Sequence, residues 1–256
     1  MASERLRVLI TNDDGYQAAG IRALAPAIAR LGHDVVVVAP LDDQSGVGSA
    51  RAGMVGRPIR TVREDEAGIT YIGIAGTPAL AVTLARVGAF GDSPDVVVSG
   101  INRGHNIGVP ILHSGTVAAA LTGATQGMSG IAVSIEGERP EYFATAGTVA
   151  AEALGWLVEQ PAGTVVTINV PDRPLDELKG VQQARLAPID RSKIAGATAE
   201  TGEPMIILQP RSAAPEPDTD EALLAAGYAT ITRIQGIREV PDDTSADYLT
   251  DRLNGN

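Results

Sequence analysis

Three short runs constrain this chain more than anything else in it: "RVLIT" (7–11), "DVVVVAP" (34–40) and "DVVVSG" (95–100). Each is apolar without interruption. A strand with one face in water alternates apolar and polar residues, so unbroken runs belong to strands covered on both faces, as in a parallel sheet between two layers of helices. Between the first two runs, "GIRALAPAIARLG" (20–32) repeats its apolar residues at helical spacing and stops at Gly32. Strand, loop, helix and strand in succession make a βαβ unit.

The alternation continues. "GTPALAVTLARVGAF" (76–90) predicts a helix with Thr77 as N-cap and Pro78 in its first turn. "SGTVAAALTGATQG" (114–127) predicts a second capped helix, leading into the run "GIAVSI" (130–135). A further helix over roughly 142–158 precedes the strand "GTVVTINVP" (163–171). The expected fold class is therefore α/β, a Rossmann-like, mostly parallel sheet flanked by helices, over residues 1–175. Beyond residue 175 the character changes. Residues 176–256 read as an extended hairpin or arm, an acidic proline-rich turn, a helix-strand return and an acidic tail, exposed or docked on a partner subunit.

Composition narrows the function classes. The formal charge of −11 argues against a nucleic-acid duplex or an anionic membrane as partner. With no cysteine there is neither disulfide nor thiolate metal site. "MASERLRVLITNDD" lacks the apolar stretch of a signal peptide, and no run approaches the roughly 20 apolar residues of a membrane span. A cytoplasmic protein is the expectation.

In parallel α/β sheets, ligands bind outside the carboxyl ends of the strands. The first run is followed by Asn12, Asp13, Asp14 and Gly15, the second by Asp42, Asp43, Gln44, Ser45 and Gly46. The third is followed by "GINRGHNIG", with Asn102, Arg103 and Asn106. Three loops thus bring small oxygen donors and glycines to one edge. Asp13 and Asp14 repel each other, and a divalent cation offsets that repulsion. Carboxylate, amide and hydroxyl donors suit a hard ion, Mg²⁺ or Mn²⁺, with Ca²⁺ as a further candidate. The competing reading is a plain "NDDG" turn, since all three residue types favour turns.

"HSGTVAAALTG" opens a helix at Ser114 or Thr116, where free N–H groups make an anion site; ordinary capping explains the same residues without a ligand. "GVGSAR" (46–51) is not a dinucleotide fingerprint, because Arg51 replaces its last glycine and it follows the second strand. Of the three histidines, His33 reads as structural. His105 and His113 flank the proposed site as proton donors or as loop residues without a chemical role.

Together the blocks "LITNDDGYQAAGIRAL", "VVVVAPLDDQSGVGSA", "GIAGTPALAVTLA", "PDVVVSGINRGHNIG", "HSGTVAAALTGATQGMSGIAVS", "TINVP" and "TDEALLAAGYATITRI" resemble the SurE family of survival-protein-E nucleotidases and phosphatases. The blocks span residues 8–235 in the family's order. The resemblance implies a phosphomonoesterase that hydrolyses nucleoside monophosphates with one divalent metal, Mg²⁺ or Mn²⁺, per subunit. It implies Asp13, Asp14, Ser45 and Asn102 as metal ligands, with Asp13, Asp14 and Asn102 catalytic. It implies a phosphate loop of Ser114, Gly115 and Thr116 with Asn12 and Gly46 close by, and a homodimer or homotetramer with exchanged C-terminal elements. The chain departs from the family at Ser49, His105, His113 and the hairpin "GEPMIILQP". These departures touch pocket positions rather than metal ligands. They keep two alternatives in view, a phosphatase for another small phosphorylated metabolite and a non-catalytic nucleotide-binding module.

Overall fold

The computed structural model describes residues 5–51, 56–189, 194–199, 201–208, 214–237, 239 and 245–253. In chain order the elements are β1 (Arg7–Thr11), α1 (Ala19–Ala29), β2 (Asp34–Pro40), β3 (Thr61–Glu66), β4 (Ile69–Ile74), α2 (Pro78–Arg86) and β5 (Val96–Arg103). They continue as α3 (Gly115–Ala124), β6 (Ser129–Ile135), α4 (Phe143–Leu157), β7 (Val165–Val170), β8 (Val181–Gln183), β9 (Ile194–Thr198) and β10 (Pro204–Leu208). α5 (Asp220–Ala225), β11 (Ala229–Ile234) and α6 (Ser245–Leu253) complete the order.

Among the described residues, one nine-stranded sheet runs β3-β4-β2-β1-β5-β6-β7-β11-β8, and β9 and β10 pair only with each other. The six strands from β4 to β7 are parallel; β3 lies antiparallel to β4, and β11 antiparallel to β7. The valine runs are buried on both faces, as their continuity requires. Val8, Ile10, Val37, Val96 and Val98 pack under α1 and α4, whereas Leu9, Val36, Val38 and Val97 pack under α2 and α3. Alternate residues of one strand thereby serve two separate cores.

The helix caps follow from local chemistry. Thr77 Oγ1 accepts the Leu80 N–H and Ser114 Oγ accepts the Val117 N–H, so both helices start at their hydroxyl residue. No run in the sequence marked β3 and β4. β4 carries Gly73 and Thr70 within its apolar residues, and β3 is a fully exposed edge of charges. That edge is blunted: Arg22 of α1 pairs with Glu64 and Glu66 across it.

The sheet continues across residue 175, since β11 and β8 extend it beyond β7. The expected hairpin is β9–β10, with Ile206 75% exposed at the middle of β10, opposite Gly196. Of the acidic tail, 245–253 is helical, while 240–244 and 254–256 lie outside the described residues. Among the described residues no helix is long and apolar enough to cross a membrane.

What positions the site is the direction in which the chain leaves β1. It runs first to β2 on one side, and later crosses to β5 on the other. The crevice between the carboxyl ends of β1 and β5 is thus the topological switch point.

Candidate functional site

The first loop at that crevice is folded by its own side chain. Asn12, fully buried, donates from Nδ2 to the Gly15 carbonyl (3.0 Å) and accepts the Gly15 N–H at Oδ1 (3.2 Å). Both ends of its amide are therefore engaged in closing the turn. Gly15 sits at φ +108°, a conformation that a side chain would strain. The turn reading of "NDDG" is met by this closure, and the same turn carries both carboxylates to the crevice.

The two carboxylates then diverge. Asp13 is 3% exposed and meets the start of α3: Thr116 Oγ1 donates to its Oδ1 (2.5 Å) and the Thr116 N–H to its Oδ2 (3.2 Å). An anion at a helix N-terminus is favoured by the unpaired N–H groups there. The hydroxyl of Thr116 is thus engaged by Asp13, while the Ser114 Oγ is engaged as the cap. The Gly115 N–H has no partner among the described residues. Gly115 is small by necessity. A Cβ there would stand 2.8 Å from both the Cβ and the Oδ2 of Asp13.

Asp14 faces the end of β5. It accepts the Arg103 N–H at Oδ2 (3.2 Å), and the Arg103 guanidinium stands 3.5 Å from Oδ1. The same guanidinium lies 3.6 Å from Asp43 of the second loop. Burial pushes the carboxyl of Asp13 above the usual carboxylate range. Burial also raises that of Asp14, and the charges of Asp13 and Asp43 raise it further. Two buried acids raised together form a site that gains from a positive charge between them.

The second and third loops supply oxygens in a usable state. The Gln44 N–H donates to the Asp13 carbonyl (2.8 Å) and the Gly48 N–H to the His113 carbonyl (3.0 Å), tying residues 44–48 over the crevice. The Ser45 N–H donates to Asp43 Oδ1 (2.8 Å), and the Ser45 hydroxyl and N–H together hold that carboxyl below the usual range. The Ser45 hydroxyl oxygen has lone pairs suited to a cation. Gly46 follows at φ +78°. Asn102 donates from Nδ2 to the Gly104 carbonyl (2.7 Å), and its Oδ1 has no partner among the described residues. Carboxylate, hydroxyl and amide oxygens with no sulfur fit a hard divalent cation. Among the described residues no group of three or more His, Cys, Asp or Glu side chains forms a metal cluster of its own. The second and third loops contribute neutral oxygens, on Ser45 and Asn102, beside the two acids of the first loop.

His33 is structural, its Nδ1 accepting the Leu6 N–H (3.4 Å). His105 and His113 are both exposed on the loops around the crevice.

Two anchors escaped the sequence reading. Asn169 of β7 exchanges two 2.8 Å hydrogen bonds with the backbone of Asn106, whose side chain donates to Ser134 Oγ (2.9 Å). A lone amide inside the apolar run "VVTINV" was the available signal. Asp220, fully buried at the start of α5, accepts the Gly108 N–H (2.7 Å), the Ala187 N–H (2.8 Å) and the Glu221 N–H (2.9 Å). An acid opening a helix reads from sequence as an ordinary exposed cap, so nothing distinguished it. Asp220 thereby fastens the segment that leads into Ser114. Asp220→Asn places an N–H donor against N–H donors. Urea unfolding is expected to show a loss of about 2–4 kcal/mol, and an unchanged midpoint would contradict this role.

Comparison with known proteins points the same way. The family model described as "Survival protein SurE" matches residues 8–193. The 5'-nucleotidase SurE of Stenotrophomonas maltophilia is 38% identical over 239 residues, covering 90% of each chain. The 5'/3'-nucleotidase SurE of Proteus mirabilis is 39% identical over 232 residues, covering 89% of each. The crystal structure of the SurE protein from Aquifex aeolicus superposes with a TM-score of 0.77 at 30% identity, covering 97% of this chain and 99% of that one. With the match running through all three loops of the crevice and the start of α3, the chain belongs to the SurE family.

Proposed function

We propose that the chain hydrolyses nucleoside monophosphates to nucleoside and phosphate at the β1/β5 crevice, using a divalent cation, Mg²⁺ or Mn²⁺, held by Asp13, Asp14, Ser45 and Asn102. The observation that carries this reading is the junction of Asp13 with Thr116, which sets a metal-suited carboxylate against a helix start suited to phosphate. Its relatives named as nucleotidases support the substrate class. When bound, a divalent cation in this donor set withdraws charge from a phosphoryl oxygen and makes water more acidic.

The chain's own residues do the rest. Asp13 and Asp14 carry the negative charge that retains the cation, Ser45 and Asn102 add neutral oxygens, and Asn12 holds the turn closed. The Gly115 N–H and the α3 N-terminus face the charge of a phosphoryl group, with Ser114 capping the helix so that its axis stays fixed. Gly46 lets the Ser45 loop pass close to that group. Water adds to phosphorus as the ester oxygen leaves, and that oxygen takes up a proton, for which His105 and His113 are the candidate donors. The exposed apolar residues of β9–β10, Met205 and Ile206, support assembly as a homodimer or homotetramer through the hairpin.

Phosphate release from a panel of phosphate esters tests the reading. Release from nucleoside monophosphates is expected to stop with EDTA and to return with Mg²⁺ or Mn²⁺. Release indifferent to EDTA would overturn the metal assignment. Tight nucleotide binding without release would favour a binding module, and preference for another ester would favour a different metabolite.

A further inference from the structure

A cavity of about 390 Å³ opens beside Asp14, on the α1/α4 side of the crevice, away from the Asp13–Thr116 junction. Its size falls within the range of small-ligand sites, roughly 300–1,000 Å³. Asp14 and Arg103 form its border with the metal and phosphate residues; Glu138, Arg139, Pro140 and Phe143 form the far wall. That wall is held in place. Asp172 accepts the N–H groups of Glu141 (3.0 Å) and Tyr142 (2.8 Å), and Phe143 packs half-buried on the core beneath α1 and α4. Arg139 makes no ion pair among the described residues, so its guanidinium donors are uncommitted.

We propose that this cavity receives the nucleoside part of the substrate, with Phe143 against the base and Arg139 donating to its acceptor atoms. The inference rests on the nucleotidase reading above and adds residues that decide which leaving group is accepted. Three features carry it. The cavity adjoins Asp14 of the proposed metal site and, unlike the cavity of about 330 Å³ beside Gln44 and Thr77, has an aromatic side chain in its wall. Phe143 and Pro140 supply the apolar surface that a planar heterocycle covers, and aromatic side chains stack on bases of any identity. The wall charges cancel, two guanidinium groups (Arg103, Arg139) against two carboxylates (Asp14, Glu138), which suits a neutral, hydrogen-bonding nucleoside rather than a second anionic group.

The test compares wild type with Arg139→Ala and Phe143→Ala. Turnover is measured on a nucleoside monophosphate and on glycerol 2-phosphate, and binding by titration with the same nucleotide and with inorganic phosphate. Each variant is expected to lower the nucleotide-to-glycerol-phosphate ratio of kcat/KM at least tenfold, chiefly through KM. The ratio of nucleotide to phosphate affinity is expected to fall by a similar factor. Equal losses on both esters, or no loss on either, would overturn the proposal. So would a wild-type preference for a nucleoside bisphosphate over the monophosphate. A wild-type protein that releases no phosphate from either ester defeats the nucleotidase reading instead. The binding ratio then still tests the cavity by itself.

Discussion

Asp14→Asn is expected to lower kcat/KM on a nucleoside monophosphate by about three orders of magnitude, roughly 4 kcal/mol of transition-state stabilisation. An asparagine oxygen can still accept the Arg103 N–H, so the turn and the end of β5 keep their geometry while one of two cation-holding charges is lost. The metal-free protein is expected to move the other way and become more stable. The folded-state pKa of Asp14 is raised by burial and by its neighbours Asp13 and Asp43. An acid with a raised folded pKa gives up its proton in the unfolded chain first. Its penalty on folding is therefore absent below the unfolded pKa, grows as pH rises, and is complete above the folded pKa. At neutral pH the substitution removes that penalty. Thermal unfolding in EDTA should show a higher Tm for the variant, and wild type should gain most when metal is added back. Metal affinity should also weaken on acidification from above the ordinary carboxylate range, because protons compete for Asp13 and Asp14 there. A variant with wild-type turnover would remove Asp14 from the metal site.

Gly115→Ala is the second large effect, and it separates geometry from chemistry. No reacting group changes. The added methyl would stand 2.8 Å from the Cβ and Oδ2 of Asp13 and 3.2 Å from its Cγ, closer than packed atoms approach. Either Asp13 leaves Thr116 or α3 recedes from the crevice. Displacements of about 1 Å at a reacting centre cost on the order of 100-fold, and that loss is expected in kcat/KM. Overpacking costs roughly 1–3 kcal/mol of stability, so the folded protein should persist and bind metal more weakly. Metal titration followed by phosphate-release kinetics measures both. Full activity in the alanine variant would mean that the close approach of α3 to Asp13 has no bearing on turnover.

The legible parts of the chain were those whose cause is local. Short, β-branched, unbroken apolar runs favour strands covered on both faces, and β1, β2 and β5 hold those residues in the sheet centre. A hydroxyl before an alanine-rich helix caps it whatever surrounds it, and Thr77 and Ser114 do so. The chemistry of the donors was legible for the same reason: a side chain's oxygen is written in its residue type. β4 was less so, since Gly73 and Thr70 interrupt its apolar pattern, and pairing with β2 on one side and β3 on the other makes it a strand.

By itself the sequence determined an α/β sheet with helices on both faces and an all-oxygen set of donors at its carboxyl edge. Tertiary structure decided which of those donors meet. Asp13 lies 103 residues from the Thr116 that orients it, Arg103 89 residues from Asp14, and Asp220 112 residues from Gly108. Such pairings depend on strand order and helix placement, which no window of neighbouring residues encodes. The adjacency of Asp13 and Asp14 was visible in the chain. That one turns to α3 and the other to the end of β5 and the cavity beyond was set only when β1 took its place between β2 and β5.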